Sequence, residues 1–206
     1  MDYKTIAGVS TSTYIEKKSE FIAVIKPVKT NDEAVEFINE IKAQHRKARH
    51  NVYAYILREG STTRYSDDGE PSGTAGVPVL DVMQKQGLCD VCCVVTRYFG
   101  GVLLGANGLV RAYSTACKQA CDEAKIRLMQ DAHKLTVTCS YTLYGKLTYA
   151  LPEFEVKICD TQFADDVTIE ILVKAPLCNK LEEKLVDLAN GQIDIVKSDV
   201  FEADFA

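Results

Sequence analysis

The sequence predicts an α+β protein built from two domains. Its 206 residues suffice for one large or two small domains. The second part alternates predicted strands and helices in the order βαββαβ, which is the ferredoxin-like pattern. In the first part, a continuous apolar run over Val91–Tyr98 predicts a central strand covered on both faces. We place the domains at residues 1–130 and 131–206.

The first domain is expected to be an α+β layer with a mixed sheet. Apolar periodicity and turn residues predict its elements in chain order. They are a strand at 21–25, a helix capped by Asn31 or Asp32 and running to about 44, a hairpin of 52–57 and 62–65, a helix from Pro78 to about 86, the strand Val91–Tyr98, and a helix from about 108 to 124.

The second domain has a different spacing of apolar residues. Alternation predicts strands, Pro152 stops one helix, and Asn190-Gly191 ends another. The predicted elements are a strand at 134–139, a helix at 144–151, a strand pair at 156–163 and 167–174, a helix at 178–189 and a last strand at 192–200.

Composition and charge limit the function classes. Residues 1–130 hold 17 Lys+Arg and 15 Asp+Glu, whereas residues 131–206 hold 7 and 14. The first domain can therefore meet an anion, while the second is a poor phosphate binder. No apolar run reaches the roughly 18 residues that span a bilayer, and no secretory signal is seen. We expect a soluble cytoplasmic protein that does not bind membranes.

The eight cysteines are expected to be reduced thiols. They are residues 89, 92, 93, 117, 121, 139, 159 and 178. The Cys89-x-x-Cys92 spacing invites a zinc or redox interpretation, with Cys117 and Cys121 on one helix face as the other pair. Buried free cysteines that act as small apolar residues are the favoured alternative.

Two glycine-rich stretches, residues 66–76 and 96–114, carry seven of the twelve glycines. Clustered glycines indicate special backbone geometry or the close approach of a ligand. Polar loops beside a rigid strand and helix are also where binding residues concentrate. These stretches are therefore the first candidates for a functional site.

The second stretch predicts an anion site between a strand end and a helix start. A helix N-terminus presents unpaired N–H groups and a partial positive charge. Arg97 precedes the turn, and Arg111 lies in the first helical turn, where a cation is mildly unfavourable and so suggests another role. The glycines that would shape the anion-accepting backbone, or else merely permit tight packing, are Gly100, Gly101, Gly105 and Gly108.

A second basic cluster covers residues 42–50 and precedes a strand that contains two tyrosines. Basic residues next to aromatic ones suit single-stranded nucleic acid, where bases stack and phosphates pair. We expect Arg49 and His50 to contact phosphate. Arg46 and Lys47 are interpreted as a solvated helix end.

Three acidic residues, Asp67, Asp68 and Glu70, are open to several roles. They could bind a metal, act as general bases, or pair with the arginines. Asp-Gly is also a common turn former. We favour side chains that orient the arginines or form a polar rim, with no metal and no cofactor.

The glycine-rich stretches resemble the motifs of the YigZ/IMPACT family. Residues 66–78 read Ser-Asp-Asp-Gly-Glu-Pro-Ser-Gly-Thr-Ala-Gly-Val-Pro, residues 94–101 read Val-Val-Thr-Arg-Tyr-Phe-Gly-Gly, and residues 104–114 read Leu-Gly-Ala-Asn-Gly-Leu-Val-Arg-Ala-Tyr-Ser. Residues 18–23 and 48–55 match earlier motifs of the family. The resemblance covers roughly residues 3–125, and the remainder is similar to the second domain of bacterial members.

The resemblance implies both fold and function. The first domain should resemble domain 2 of ribosomal protein S5, and the second the last domain of elongation factor G. The family implies a non-enzymatic, translation-associated protein, so the expected partners are RNA, the ribosome or translation factors. Eukaryotic relatives inhibit activation of a starvation-responsive kinase through protein contacts, which makes a protein-binding regulatory module the alternative. Those relatives carry a further N-terminal domain that we do not expect here.

Enzymatic alternatives are less favoured by the residues. Ser72 in Gly-Glu-Pro-Ser-Gly does not lie in the strand-to-helix elbow of serine hydrolases. The S5-like fold also occurs in one small-molecule kinase superfamily, which makes a phosphate-substrate enzyme the more serious candidate. The glycine-rich loop lacks that superfamily's Gly-Leu-Gly-Ser-Ser run and the Lys-Ser/Thr ending of a P-loop.

Overall fold

The computed structural model describes residues 2–206 and divides into two compact units. One unit is Tyr3–Arg127, and the other is Leu128–Ala206 together with Asp2. Each unit combines helices with an antiparallel sheet, so the α+β class is confirmed. No helix within residues 2–206 has both the length and the apolarity needed to cross a membrane.

The first domain contains six strands and three helices in its described part. They are β1 Tyr3–Ile6, β2 Ser10–Glu16, β3 Ser19–Pro27, α1 Asn31–Gln44, β4 His50–Leu57, β5 Thr62–Ser66, α2 Gly76–Lys85, β6 Val91–Tyr98 and α3 Ala106–Glu123. A 3₁₀ turn, Glu59–Ser61, joins β4 to β5 and forms the predicted hairpin.

Five of these strands form one sheet in the order β2-β3-β6-β4-β5. Each neighbouring pair is antiparallel, so the prediction of a mixed sheet was wrong. Strand direction depends on which strands become neighbours. Here β3 and β4, which are consecutive strands in the chain, lie on opposite sides of β6 and both run antiparallel to it.

The central strand β6 is covered on both faces, as its apolar run predicts. Cys93 and Val95 point into a core shared with α2 and α3. Cys92 and Val94 point the other way, into a core shared with α1. Because the strand alternates between two layers, every second residue serves a different core.

The strands β1 and β2 were not predicted. Strand β2 reads Ser-Thr-Ser-Thr-Tyr-Ile-Glu and lacks a regular apolar alternation. Its pairing with β3 depends on a turn at Lys17 and Lys18, which both adopt positive φ. Sequence patterns detect strands chiefly through buried side chains, so a polar edge strand is easily missed.

Helix α1 begins one residue earlier than an Asn31 cap implies and two earlier than an Asp32 cap. Thr30 is the N-cap, and its side-chain oxygen accepts a hydrogen bond from the Glu33 N–H at 3.2 Å. Glu33 in turn accepts from the Lys29 N–H at 2.6 Å. Asn31 and Asp32 are therefore inside the helix. The Asp32 carboxylate interacts favourably with the positive end of the helix dipole.

The second domain has the order βαββαβ. Its elements are β7 Ile126–Cys139, α4 Tyr141–Ala150, β8 Lys157–Phe163, β9 Val167–Lys174, α5 Ala175–Leu188, β10 Asp194–Lys197 and β11 Phe201–Asp204, with a 3₁₀ turn at Leu151–Phe154. The strands pair antiparallel in the order β10-β7-β9-β8. This arrangement is ferredoxin-like.

The predicted strand at 192–200 contains one short strand, β10, and a further strand, β11, follows it and was not predicted. Both β10 and β11 pair with β7, but Ser198 interrupts them. The Lys134 N–H donates to the Ser198 hydroxyl at 2.9 Å instead of to a backbone carbonyl, and His133 Nδ1 lies 2.8 Å from the Ser198 carbonyl oxygen. The Ser198 hydroxyl therefore takes the place of a backbone carbonyl as acceptor in the hydrogen-bond ladder of β7.

Candidate functional site

Three chain segments of the first domain meet at one end of its sheet. The end of β6 lies beside the start of β4, where Arg97 pairs with His50 across the two strands. The loop after β5 supplies Glu70 to the same place. A cleft of about 240 Å³ is lined by Arg49, His50, Glu70, Arg97, Phe99 and Leu103. The structure thus brings together four residues that the sequence analysis had singled out separately.

Arg97 is a buried cation with an incomplete set of partners. Its side chain is 8% exposed and donates to Glu70 Oε1 at 2.7 Å. The guanidinium lies 5.4 Å from the Phe21 ring centre and 5.6 Å from that of Phe99. Arg97 Nε is buried and has no hydrogen-bond partner among the described residues. A buried unpaired donor costs about 1–3 kcal/mol, which a bound acceptor would offset.

Glu70 holds Arg97 and a buried tyrosine with one oxygen atom. Besides Arg97, Glu70 Oε1 accepts from the Tyr113 hydroxyl at 2.8 Å. Burial, reinforced by the Glu70 carboxylate, raises the pKa of Tyr113, so the phenol stays protonated and donates. The position of Arg97 is therefore fixed from the loop and from α3 together.

Asp67 organises its own loop and the start of α2. Its Oδ1 accepts from the N–H groups of Ala75 at 3.0 Å and Gly76 at 2.8 Å, and its Oδ2 accepts from Gly73 at 2.9 Å. A carboxylate in this position accepts from the unpaired N–H groups of the first helical turn and interacts favourably with the positive end of the helix dipole. Asp67 therefore uses both carboxylate oxygens within its own loop and at the start of α2.

Asp68 fixes His50 and a neighbouring lysine. Its carboxylate accepts from the Asn51 N–H at 2.7 Å and pairs with Lys42 Nζ at 2.9 Å. Its carbonyl oxygen lies 2.8 Å from His50 Nδ1. A carbonyl can only accept, so Nδ1 carries the hydrogen and Nε2 is left to interact with a ligand in the cleft.

The four glycines of the predicted anion loop have separate structural duties. A Cβ on Gly100 would overlap the backbone of Lys18 and Ser19, and the Gly100 N–H donates to Ser19 Oγ at 3.1 Å. Gly105 is the N-cap of α3 and has φ +71°. Gly101 lies in the loop, and a Cβ on Gly108 would come within 2.9 Å of Leu104. Tight packing, the alternative considered for these residues, accounts for Gly100 and Gly108.

Arg111 does not join Arg97. It is exposed on α3 and lines a different cleft, of about 440 Å³, together with Tyr14, Glu16 and Lys17. The single site predicted from both arginines is thus two clefts in the structure. The sequence could not show that Arg97 and Arg111 lie in different clefts. The direction in which Arg111 projects from α3 depends on how that helix packs against β2 and β3.

Sequence reasoning missed the apolar side of the cleft. Phe99 is 51% exposed and Leu103 is 83% exposed. The available signal was the unusual run of large apolar residues between glycines at 99–105, which a solvent-facing loop does not need. Tyr113 was also missed, since on a helix it reads as an ordinary core residue.

The cysteines lie mainly in the cores. Cys92 and Cys93 face opposite layers of the sheet, and burial raises the pKa of the Cys92 thiol. Cys117 and Cys121 share one face of α3 with their sulfurs 4.0 Å apart. Within residues 2–206, no group of three or more potential ligands is arranged to hold a metal ion.

Comparison with known proteins defines the class of this chain. Residues 17–121 match the Impact N-terminal domain, and residues 137–192 match a domain of unknown function, DUF1949. The first match covers the cleft and its loops. The fold and the cleft are therefore those of an Impact-type domain followed by a small ferredoxin-like one.

Individual relatives share the whole two-domain arrangement. The Bacillus subtilis IMPACT family member YvyE is 38% identical over 96% of this chain and 92% of its own length. The Escherichia coli IMPACT family member YigZ is 30% identical over 87% and 90%. A crystal structure of a hypothetical protein aligns with TM-score 0.61 and 28% identity over 96% of this chain and 98% of that one. The chain belongs to the IMPACT family.

Proposed function

We propose that this protein is a non-enzymatic regulator of translation that binds single-stranded RNA of the translation machinery through the cleft of its first domain. The observation that carries the proposal is the juxtaposition of Arg49, His50 and Arg97 with the exposed ring of Phe99. Phosphates and bases need these two kinds of surface next to each other.

The cationic side of the cleft suits a phosphate group. Arg49 is exposed, whereas Arg97 is buried and paired with Glu70. His50 presents its Nε2 to the cleft, since its Nδ1 contacts the Asp68 carbonyl oxygen. A preorganised arginine next to an exposed one is an arrangement that binds phosphate with good geometry.

The apolar side of the cleft suits a base. An aromatic ring stacked on a nucleobase contributes roughly 1–3 kcal/mol with little sequence preference. Phe99 already lies within 5.6 Å of the Arg97 guanidinium. A base stacked on this ring would therefore bring its own phosphate close to the cations.

The acidic residues support binding rather than catalysis. Asp67 uses both carboxylate oxygens on three backbone N–H groups, and Glu70 uses Oε1 for Arg97 and Tyr113. A general base or metal ligand needs an oxygen available to the substrate. A cytoplasmic location completes the proposal, since six of the eight cysteines are buried and none of the buried ones forms a disulfide.

The test measures RNA affinity as a function of salt with an oligonucleotide of roughly 12 residues. Arg49→Ala should flatten the slope of log K against log salt by about 0.7, the value for one phosphate of a single strand. Phe99→Ala should weaken binding and leave the slope unchanged. Lys85→Ala, on the exposed end of α2, is the control and should match the original protein. Unchanged affinity in both cleft variants would overturn the proposal.

A protein-binding regulatory module is the second candidate, and the loop tip favours it. Leu103 and Val102 are 83% and 43% exposed in the same loop as Phe99, and exposed apolar residues in one loop are typical of a protein-binding surface. Crosslinking in cells followed by nuclease treatment separates the two. A single protein partner that survives nuclease and is lost in Leu103→Asp supports the second candidate.

A further inference from the structure

We infer that the cleft of the first domain prefers RNA that presents an unpaired guanine base, and that Glu70 is the residue that sets this preference. The base preference rests on the proposed function and adds to it the identity of the bound base. A carboxylate in a cleft for RNA would repel the phosphates of the strand. The Glu70 side chain therefore needs a part of the ligand that donates hydrogen bonds.

Glu70 uses only one of its two carboxylate oxygens within the protein. Its Oε1 accepts from Arg97 Nη1 at 2.7 Å and from the Tyr113 hydroxyl at 2.8 Å, whereas no donor among the described residues reaches Oε2. In the same part of the chain, the fully buried side-chain atoms without a partner are Arg97 Nε and Gln130 Oε1. Glu70 Oε2 is not one of them, so it keeps accessible surface.

The accessible surface of Glu70 lies toward the cleft. The side chain is only 3% exposed, and the residue forms part of the cleft wall. Arg97 and Tyr113 hold Oε1 from β6 and from α3, so the carboxylate is fixed in place. Oε2 is thus a preorganised acceptor, and little further ordering of the side chain opposes the binding of a donor.

His50 supplies a second acceptor in the same cleft. Its Nδ1 lies 2.8 Å from the Asp68 carbonyl oxygen and carries the hydrogen, so Nε2 of the neutral ring is an acceptor. His50 pairs with Arg97 across β4 and β6, and Arg97 pairs with Glu70. The two acceptors therefore flank the same arginine.

Guanine is the base whose edge matches two acceptors. Its Watson–Crick edge carries the N1–H group and the N2 amino group side by side, and unstacked bases of single-stranded RNA are recognised on this edge. Adenine and cytosine offer one amino donor next to a ring-nitrogen acceptor, and uracil offers one N–H between two carbonyl oxygens. Each of these three bases would place an acceptor against Glu70 or His50. Stacking on Phe99 favours all four bases, so the acceptors decide among them.

The experiment measures the affinity of the full chain for four oligouridine probes of about 12 nucleotides that carry G, A, C or U at the central position. The guanine probe should bind about tenfold more tightly than the others. Replacing guanine by hypoxanthine, which lacks the N2 amino group, should weaken binding about threefold or more.

The probes separate the base preference from the proposed function. If all four bind equally and Phe99→Ala weakens each of them, the base preference is wrong and the proposed function stands. Equal affinity for guanine and hypoxanthine would also overturn the preference. If no probe binds, the base preference and the proposed function both fail.

Glu70→Gln tests the residue itself. The amide oxygen has to accept from Arg97 and Tyr113, so the NH₂ group takes the place of Oε2 and an acceptor becomes a donor. The roughly tenfold guanine preference should disappear, while the all-uridine probe should bind at least as tightly as before. Glu36→Gln, at an exposed position of α1, is the matched control and should keep the preference. A folded Glu70→Gln that still prefers guanine would overturn the role of Glu70. If this variant does not fold, the hypoxanthine comparison on the unaltered protein decides.

Discussion

Arg97 and Glu70 form a buried ion pair across 2.7 Å, with side chains 8% and 3% exposed. Arg97 ends the central strand β6, whereas Glu70 comes from the loop between β5 and α2. Tyr113 of α3 donates to the same oxygen. One carboxylate oxygen therefore joins a loop, a strand and a helix at the edge of the candidate cleft.

Glu70→Gln should destabilise the protein by about 3 kcal/mol, because it leaves the Arg97 charge buried without its counter-ion. Urea unfolding measures the change. The control is Asp81→Asn, which disrupts an exposed pair with Lys85 and should cost less than about 1 kcal/mol. Equal effects of the two variants would show that burial adds nothing to the Arg97 pair.

Gly100→Ala should be strongly destabilising, since its Cβ would overlap rigid backbone at Lys18 and Ser19. The loss should reach at least the roughly 1–3 kcal/mol typical of overpacking. Gly145→Ala, in the middle of α4 with no atom within 4 Å of the added Cβ, should instead stabilise by about 0.5–1 kcal/mol. Thermal unfolding of both variants tests the pair, and the same sign for both would contradict the packing account.

Tyr113 should make the protein sensitive to alkali. Its pKa is raised by burial, so above about pH 10 the unfolded chain loses a proton that the native chain keeps. Stability should then fall as pH rises, and Tyr113→Phe should remove about 1.4 kcal/mol of that loss per pH unit. Urea midpoints measured on both sides of pH 10 give the slope.

The matched control for this titration is Tyr149→Phe, at a position 86% exposed, which should keep the slope of the original protein. The buried cysteines are the same in the original protein and in both variants, so their contribution to the pH slope cancels in the comparison. Identical slopes for Tyr113→Phe and the original protein would mean that the phenol ionises as easily in the native state as in the unfolded one.

The two domains should differ in RNA binding. We expect a fragment of residues 1–130 to fold on its own core and keep most of the affinity. Residues 131–206, with 14 acidic and 7 basic side chains, should repel phosphate, most clearly near 0.01 M salt where the Debye length is about 30 Å. Filter binding with each fragment tests this prediction. If the second fragment binds RNA as tightly as the full chain, the assignment of the site to the first domain is wrong.

Patterns of apolar residues located most of the fold in advance. The run Val91–Tyr98 predicted a covered central strand because every residue in it is apolar or small until Thr96. The polar strand β2 was not predicted, because it lacks apolar alternation. The antiparallel order of the sheet was not predicted either, because it depends on contacts between residues far apart in the chain. Strand β10 also ends at Lys197, before the predicted residue 200, where the Ser198 hydroxyl takes the place of a backbone acceptor.

The candidate site was predictable in its residues more than in its geometry. Arg49, His50 and Arg97 were identified from charge and motif, and the structure lines one cleft with all three. The separation of Arg111 follows from the facing of a helix, which sequence does not define. Phe99 and Leu103 belong to the cleft because exposed apolar residues become meaningful only when their neighbours are known.

The double coverage of β6 has a consequence for how the first domain opens. This strand has a partner on each edge and a core on each face, so its amide hydrogens can reach solvent only if both layers separate together. Its exchange rates should report the global unfolding equilibrium. Phe99 and Leu103 follow directly after the end of that strand, so the apolar side of the cleft is attached to the part of the first domain that should exchange most slowly.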